Sequence, residues 1–257
     1  MALIADNVSL HMSGFNILRD VNIAINAGQI TAIVGPNGAG KSSFIKVLSG
    51  DMLPTQGEVT LNGRGLSDWS ADQRAKMVSV LPQHSLLNFP FNASEVVALG
   101  RIPHQSGKVR DTEIVKEALT TVDASYLESR FFTQMSGGEK QRVQLARVLA
   151  QIWEPTSIGN QFLVLDEPTS ALDLSHQVLT LKIVSKLAEQ GVGVVMVVHD
   201  LNLAARCADN IIVFDKGIIV AQGSPDEVLN EQLISDVFDI TPLILKHPVT
   251  GKPLVIN

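Results

Sequence analysis

The 257-residue sequence predicts an α/β protein whose central sheet is mostly parallel and is interrupted by an inserted helical segment. Short apolar runs alternate with helical patterns along most of the chain. One apolar run leads directly into a glycine-rich loop that opens a helix. Between residues 83 and 155 the strand-like runs stop and helical spacing takes over, so we divide the chain into a core (1–82 and 156–257) and a helical subdomain (83–155).

The first half of the core reads as strands that flank the glycine loop. "VNIAINAGQ" (21–29) alternates apolar and polar residues, as a half-buried strand does, and "ITAIV" (30–34) is apolar throughout, as a fully buried strand is. "KSSFIKVLSG" (41–50) is typical of a helix that a glycine ends. "GEVTLNG" (57–63) predicts a short strand that ends in an Asn-Gly turn.

The rest of the chain continues the alternation after the helical insertion. "SEVVAL" and "DTEIVKEALTTV" have helical spacing within the insertion. The core then resumes with the strand "FLVLDEP", the helix "LSHQVLTLKIVSKLAEQG", the strand "VGVVMVVHD", the helix "LNLAARCA" and the strand "NIIVFDKG". The tail (224–257) begins with helical character and ends in an extended, proline-spaced stretch.

Composition narrows the class of protein. The net charge of −6 argues against nucleic acid or an anionic membrane surface as the main partner. Cys207 is the single cysteine, which excludes an internal disulfide and fits a reducing compartment. The N-terminal stretch lacks the pattern of a secretory signal, and the longest apolar run, 192–198, is far shorter than the about 20 residues of a membrane span. We therefore expect a soluble chain that reaches a membrane only through a partner.

The glycine loop "GPNGAGKSS" has the spacing of a phosphate-binding loop. It follows a buried strand and opens a helix, where backbone N–H groups and the helix N-terminus attract phosphate oxygens. Lys41 is placed to reach the β- and γ-phosphates, and the Ser42 hydroxyl to bind Mg²⁺. The predicted nucleotide-binding residues are Gly35, Pro36, Asn37, Gly38, Ala39, Gly40, Lys41, Ser42 and Ser43. A tight turn that merely needs glycine is the alternative, which the strand–loop–helix context disfavours.

Two carboxylates follow the buried strand of "FLVLDEP". Asp166 and Glu167 lie where parallel strands end, which is the edge at which open α/β sheets bind ligands. Mg²⁺ would compensate the burial of Asp166, and Glu167 would polarise a water for attack on the γ-phosphate. The alternative is an ordinary surface turn. That alternative is competitive for the Asp166–Glu167 pair alone, but not when the glycine loop is considered with it.

A second glycine-rich helix start occurs in "MSGGEKQRVQLARVLAQ" (135–151). Ser136 and Glu139 have capping-box spacing. A well-capped helix does not by itself explain Gly137 and Gly138, which each weaken a helix by about 1 kcal/mol relative to alanine. Bare backbone N–H groups at a helix start predict a second phosphate site formed by these four residues.

Together these segments resemble the ABC-type ATPases. "GPNGAGKS", "MSGGEKQRVQLARVLA", "FLVLDEPTSALD" and "VVMVVHDLN" are similar, in that order, to the Walker A, signature, Walker B with D-loop, and H-loop motifs, and "LPQ" fits the Q-loop. The resemblance covers nearly the whole chain. It implies a P-loop ATPase fold with an N-terminal antiparallel β part, and a head-to-tail homodimer in which each signature loop faces the partner's ATP.

The resemblance also implies roles for single residues. Mg²⁺ would accompany ATP, with Ser42, Gln83 and Asp166 at the metal; Glu167, His199 and Gln83 would be catalytic, and Asp173 would lie at the dimer interface. Glu139 stands where the family usually has glutamine, and we expect it to point back to its own cap. The adenine-stacking position holds Met12, with Phe15 nearby as the alternative. No ligand role is assigned to His11, His84, His104, His176 or His247.

Four further segments resemble one branch of the family. "VVALGRIPHQ" and the tail pattern are similar to ATPases of iron-chelate, cobalamin and haem importers, and "LAQIWEP" with "LDLSHQ" to those of haem importers. This implies two transmembrane permease subunits, an indirect link to a periplasmic haem-binding protein, no nucleic-acid partner, and a peripheral location on the cytoplasmic face of the bacterial inner membrane. A siderophore or cobalamin importer is the alternative, followed by a soluble ABC protein acting on DNA or ribosomes. A kinase with a single nucleotide site is excluded, because such an enzyme does not need the second glycine-rich segment "MSGGE".

Overall fold

A computed structural model describes residues 2–83, 87 and 89–256. In chain order, the strands are β1 (Ala2–Met12), β2 (Phe15–Asn26), β3 (Ile30–Val34), β4 (Gln56–Leu61), β5 (Arg64–Gly65), β6 (Val78–Leu81), β7 (Phe162–Asp166), β8 (Gly193–Val197), β9 (Asn210–Asp215), β10 (Ile218–Gly223), β11 (Leu243–Lys246) and β12 (Pro253–Ile256). The α-helices are α1 (Lys41–Ser49), α2 (Ala71–Met77), α3 (Ala93–Ala98), α4 (Lys108–Thr121), α5 (Gly137–Gln151), α6 (Leu174–Glu189), α7 (Leu201–Cys207), α8 (Pro225–Val228) and α9 (Glu231–Phe238).

The central sheet has six strands in the order β10-β9-β3-β8-β7-β6. Strands β9, β3, β8, β7 and β6 are parallel, and β10 adds an antiparallel edge to β9. Every residue of β3, β7 and β8 is buried, because helices or the second sheet cover both faces. The prediction of a mostly parallel α/β core is confirmed.

A second sheet lies at the N-terminal part of the chain, in the order β2-β1-β4-β5, with all pairs antiparallel. The buried side chains of β2 alternate toward Val21, Ile23 and Ile25, as the sequence pattern predicts. The turn between β4 and β5 is Asn62-Gly63, and both residues have positive φ, 55° and 82°, as a tight hairpin turn requires. This sheet packs through one apolar cluster against α1 and the nearer face of the central sheet.

Helices α3, α4 and α5 form the helical insertion and pack against one another. Their buried side chains belong to the same apolar cluster as one face of β3, β7 and β8. The insertion therefore shares a core with the sheet, and the division at residues 83 and 155 remains a proposed boundary.

The tail forms α8 and α9 and then the antiparallel hairpin of β11 and β12. The extended stretch that the sequence predicts is thus paired into a small sheet. Among the helices described here, none combines the length and the apolar character needed to cross a bilayer.

Candidate functional site

Four predicted site segments leave the central sheet at one edge. The glycine loop follows β3, Asp166 ends β7, His199 follows β8, and Gln83 follows β6. These strands are parallel neighbours in the order β3-β8-β7-β6, so their carboxyl ends lie side by side. The sheet topology brings together residues as far apart in the sequence as Gly35 and His199, at the edge where such sheets bind ligands.

The glycine loop encloses a positive charge. Lys41 is buried, and its Nζ donates to the carbonyl oxygens of Gly35 at 2.8 Å and Pro36 at 2.7 Å. Burial lowers the pKa of the Lys41 ammonium, and the negative charges of Glu167 and Asp166 oppose that shift. At Gly40 only glycine fits, because φ is +99° and an added Cβ would lie 2.9 Å from the oxygen of Ile17.

Asp166 is a buried carboxylate with an unused oxygen. Its Oδ1 has no hydrogen-bond partner within the described residues. Burial raises the pKa of the Asp166 carboxyl; a hydrogen bond from Ser42 lowers it and the charge of Glu167 raises it further. A buried oxygen without a partner, beside a serine hydroxyl, has the hard oxygen chemistry that suits Mg²⁺.

Replacing Asp166 with asparagine is expected to stabilise the nucleotide-free protein by about 1 kcal/mol at neutral pH, or roughly 2–4 °C in Tm. The raised pKa means that the fold favours the protonated carboxyl. The stability that the protonated Asp166 carboxyl gives the fold is present below the ordinary carboxyl pKa and is lost as the pH rises through the folded-state pKa. The advantage of the asparagine variant over the wild type should therefore shrink on acidification.

Thermal unfolding between pH 4 and 8 measures this difference. Asp72→Asn makes the same chemical change at an exposed carboxyl in the first turn of α2, and it should alter stability by less than about 0.5 kcal/mol. A lower Tm for Asp166→Asn at neutral pH would show that the carboxylate stabilises the fold, against this prediction.

Glu167 and His199 form a hydrogen-bonded pair. Nε2 of His199 lies 2.5 Å from Oε1 of Glu167, and because an ionised carboxylate only accepts, the proton lies on the ring nitrogen. Glu167 has a left-handed backbone (φ 52°), its N–H donates to Val197, and its side chain is 13% exposed. The turn after β7 therefore fixes a carboxylate at the sheet edge, directly beside Asp166 in the chain.

The remaining predicted contacts of the first site lie on exposed positions. Gln83 is exposed two residues beyond the end of β6. Met12 and Phe15 face each other across the turn between β1 and β2 and are 43% and 71% exposed. Both remain candidates for the adenine contact. His84 lies outside the described residues.

The second glycine start begins α5, as the sequence predicts. The Ser136 side chain accepts from the Glu139 N–H at 3.3 Å, and Glu139 Oε2 accepts from the Ser136 N–H at 2.8 Å. Those hydrogen bonds lower the pKa of the Glu139 carboxyl, and Arg130 adds an ion pair at 3.2 Å. Glu139 thus points back to its own cap, which confirms that expectation.

The two glycines differ in their surroundings. A Cβ on Gly138 would lie 3.0 Å from the backbone oxygen of Ala171, so this residue allows α5 to pack closely against the segment before α6. At Gly137 the nearest atom would be 4.0 Å away and the residue is exposed. The sequence pattern does not distinguish the two glycines, but in the structure Gly138 has a packing role and Gly137 does not.

Asp173 is the N-cap of α6. Its Oδ1 accepts from the His176 N–H at 2.9 Å, from Ser175 Oγ at 2.8 Å and from His176 Nδ1 at 2.7 Å. These hydrogen bonds lower the pKa of the Asp173 carboxyl to about 2. The side chain is 65% exposed, so the residue remains available to a partner.

Two contacts of the site have no local sequence signal. Gln141 of α5 donates to the backbone oxygen of Glu167 at 3.4 Å, which joins the second glycine start to the carboxylate turn. Asn202 bonds both backbone groups of Val255, far along the chain. By contrast, the cap that Asp200 provides for α7 could have been predicted from an aspartate directly before a helix.

Comparisons with known proteins agree on the family. The profile of the ABC transporter family matches residues 18–170. The chain is 46% identical over 252 residues to the "Hemin import ATP-binding protein HmuV" of Pseudomonas entomophila, covering 98% of each chain. It is 45% identical over 254 residues to the protein of that name from Gloeobacter violaceus, covering 98% of this chain and 92% of the relative.

Solved structures show the same likeness. A chain from a metal-chelate type ABC transporter in an inward-facing conformation superposes with a TM-score of 0.82 at 25% identity, covering 99% of this chain and 96% of that one. The dimeric ATP-binding cassette MJ0796 with ADP and Pi gives a TM-score of 0.76 at 27% identity, covering 86% and 98%.

Proposed function

Because this chain belongs to the ABC transporter family, we propose that it is the ATP-hydrolysing, energy-coupling subunit of a bacterial haem importer. The observation that carries the proposal is the convergence at one sheet edge of the glycine loop, the Glu167–His199 pair and an Asp166 oxygen that has no hydrogen-bond partner in the described part of the chain. A nucleotide-binding loop, a metal-binding oxygen and a general base at one place are what phosphoryl transfer to water needs.

The glycine loop from Gly35 to Ser43 binds the phosphates of ATP. Its backbone N–H groups and the N-terminus of α1 attract the anion, and the Lys41 ammonium adds the charge needed at the β- and γ-phosphates. The carbonyl oxygens of Gly35 and Pro36 already hold that ammonium inside the loop, so it is positioned before ATP arrives.

Ser42, Asp166 and Gln83 are the protein groups that would hold Mg²⁺, which neutralises phosphate charge when it is bound with ATP. The described residues contain no cluster of three or more His, Cys, Asp or Glu placed for a metal.

Glu167 acts as the general base. Its carboxylate accepts a proton from the attacking water, and the His199 Nε2–H holds the carboxylate in place through its hydrogen bond to Oε1. His199 follows β8 at the same sheet edge, and its ring is proposed to contact the γ-phosphate when ATP is bound.

Two chains form a head-to-tail homodimer in which Ser136, Gly137, Gly138 and Glu139 face the ATP of the partner. The exposure of Gly137 and of the Asp173 side chain supports this arrangement, and MJ0796 is a dimeric cassette of the same fold. The second glycine-rich helix start of each chain then binds the phosphates of the ATP that the partner's glycine loop holds.

Haem is the proposed cargo because the relatives at 45–46% identity are named for hemin import. The chain itself contacts two transmembrane permease subunits at the cytoplasmic face of the inner membrane, through the helical insertion near Gln83–Gln105, and meets a periplasmic haem-binding protein only indirectly. The metal-chelate type transporter among the structural relatives favours a siderophore or cobalamin importer as the second candidate.

The test is ATP turnover by the chain reconstituted in lipid with its permease and binding protein, loaded with haem, an iron–siderophore or cobalamin. Stimulation by haem alone is the expected result. Stimulation by another chelate would transfer the proposal to the second candidate, and absence of MgATP hydrolysis in every case would overturn the coupling role.

A further inference from the structure

The C-terminal hairpin is fastened to the helix that follows His199. Strand β12 packs against α7, and Val255 within it is buried in the main apolar cluster. The Asn202 side chain bonds Val255 in both directions: Nδ2 donates to the backbone oxygen at 2.9 Å, and Oδ1 accepts from the backbone N–H at 2.7 Å. Lys252 Nζ adds a bond to the oxygen of Arg206 at 2.8 Å.

These bonds act on the first turn of α7. Asp200 Oδ1 accepts from the N–H groups of Asn202 at 2.8 Å and Leu203 at 3.2 Å, so it caps the helix that Asn202 fastens to β12. His199 directly precedes this cap, and its ring contacts Glu167. A continuous path of hydrogen bonds and chain therefore runs from Val255 through Asn202 and Asp200 to the catalytic pair.

The brace is needed because α7 is short. It has seven residues, and helices of that length are not stable on their own, so their position depends on tertiary contacts. Its apolar side, Leu203 to Ala205, is packed in the core, but the turn that carries Asp200 is held by the cap and by Asn202. Asparagine suits this role because one amide supplies both a donor and an acceptor to a strand backbone.

We propose that Asn202 is a positioning residue and that the hairpin of residues 243–256 is a brace that holds His199 against Glu167. The inference rests on the proposed function, since the positioned pair serves ATP hydrolysis. Asn202 does not touch the reacting atoms and acts only through α7. Displacement of the hairpin by a bound partner would loosen the pair and slow turnover.

The test compares the full-length chain with Asn202→Ala and Asn202→Asp. Asparagine-to-alanine should lower kcat at least about fivefold, with the KM for ATP within about twofold, because most of the phosphate binding is assigned to the glycine loop after β3. Aspartate keeps the acceptor for the Val255 N–H but sets a carboxylate oxygen against the Val255 backbone oxygen, so its kcat should fall at least as far as that of the alanine variant. Val249→Ala, at the exposed tip of the hairpin, is the matched control and should leave kcat unchanged.

An NMR signature separates positioning from general damage. Of the six histidine Cε1–Hε1 resonances, the one missing in His199→Ala belongs to His199. It should shift in both Asn202 variants and stay in place in Val249→Ala. An unmoved His199 resonance, or a normal kcat in Asn202→Ala, would overturn the brace. If the wild type hydrolyses no ATP, the proposed function fails, but the resonance still tests the inference.

Discussion

Replacing Glu167 with glutamine is expected to lower ATP turnover by about 10²–10⁴-fold while ATP binding is retained. Glutamine has the size of glutamate, and its carbonyl oxygen can still accept from the His199 Nε2–H that lies 2.5 Å from the carboxylate. The left-handed turn after β7 is also unaffected by an isosteric change. What is lost is the ability to take a proton from the attacking water, so the chemical step stops after ATP has bound.

Steady-state turnover, the Kd for ATP and the association state with MgATP together measure this outcome. Glu167→Gln should bind ATP with an affinity close to that of the wild type and accumulate as a dimer. Turnover close to the wild-type rate would rule out Glu167 as the base. A stable variant that binds no ATP would instead assign the carboxylate a role in binding.

Glu139→Gln is the matched control, because it makes the same chemical change at a carboxylate in the capping box of α5. Glutamine caps a helix through the same pair of hydrogen bonds that Glu139 makes with Ser136, and it is the residue that the resemblance leads one to expect there. Near-normal turnover in this variant is expected, which would show that the effect at position 167 is local chemistry.

Features that depend on contacts between neighbouring residues could be predicted from the sequence. The apolar run 30–34 coincides with β3, and the glycine at position 50 ends α1 through a left-handed residue. The capping box at Ser136 and Glu139 forms as predicted. In each case the decisive contacts are made within a few residues, so the local pattern contains the necessary information.

Features that depend on contacts between distant parts of the chain could not be predicted from the sequence. Strand β10 is half-exposed and exists because β9 offers an edge, and β11 and β12 form a separate two-stranded sheet across a turn. The left-handed backbone of Glu167 and its bond to His199 arise from the pairing of β7 with β8. No periodicity in the sequence encodes which strands become neighbours, so these features had to be seen in the structure.

Mixing two variants that are inactive alone is expected to restore ATP turnover. This result would show that the second glycine-rich helix start serves the ATP of the partner chain. Lys41→Ala removes the ammonium of the glycine loop, and Gly137→Asp places a carboxylate where the partner's phosphates are proposed to lie. Each homodimer should be inactive. Gly137 tolerates the change structurally, because a Cβ there meets no atom closer than 4.0 Å and an acidic residue suits a helix N-terminus.

In a head-to-tail heterodimer of these variants, one site combines both defects and the other combines an intact glycine loop with an intact signature loop. Random pairing from an equal mixture then gives about a quarter of the wild-type turnover, since half of the dimers carry one good site of two. If each chain used its own signature loop, every site in the mixture would keep one defect and no activity would return.

Gly137→Asn, equal in size and uncharged, should retain more activity than Gly137→Asp, because charge repulsion of phosphate is then removed while the added volume remains. Equal losses in the two variants would indicate that crowding at residue 137, rather than an anion facing it, explains why a glycine is needed there.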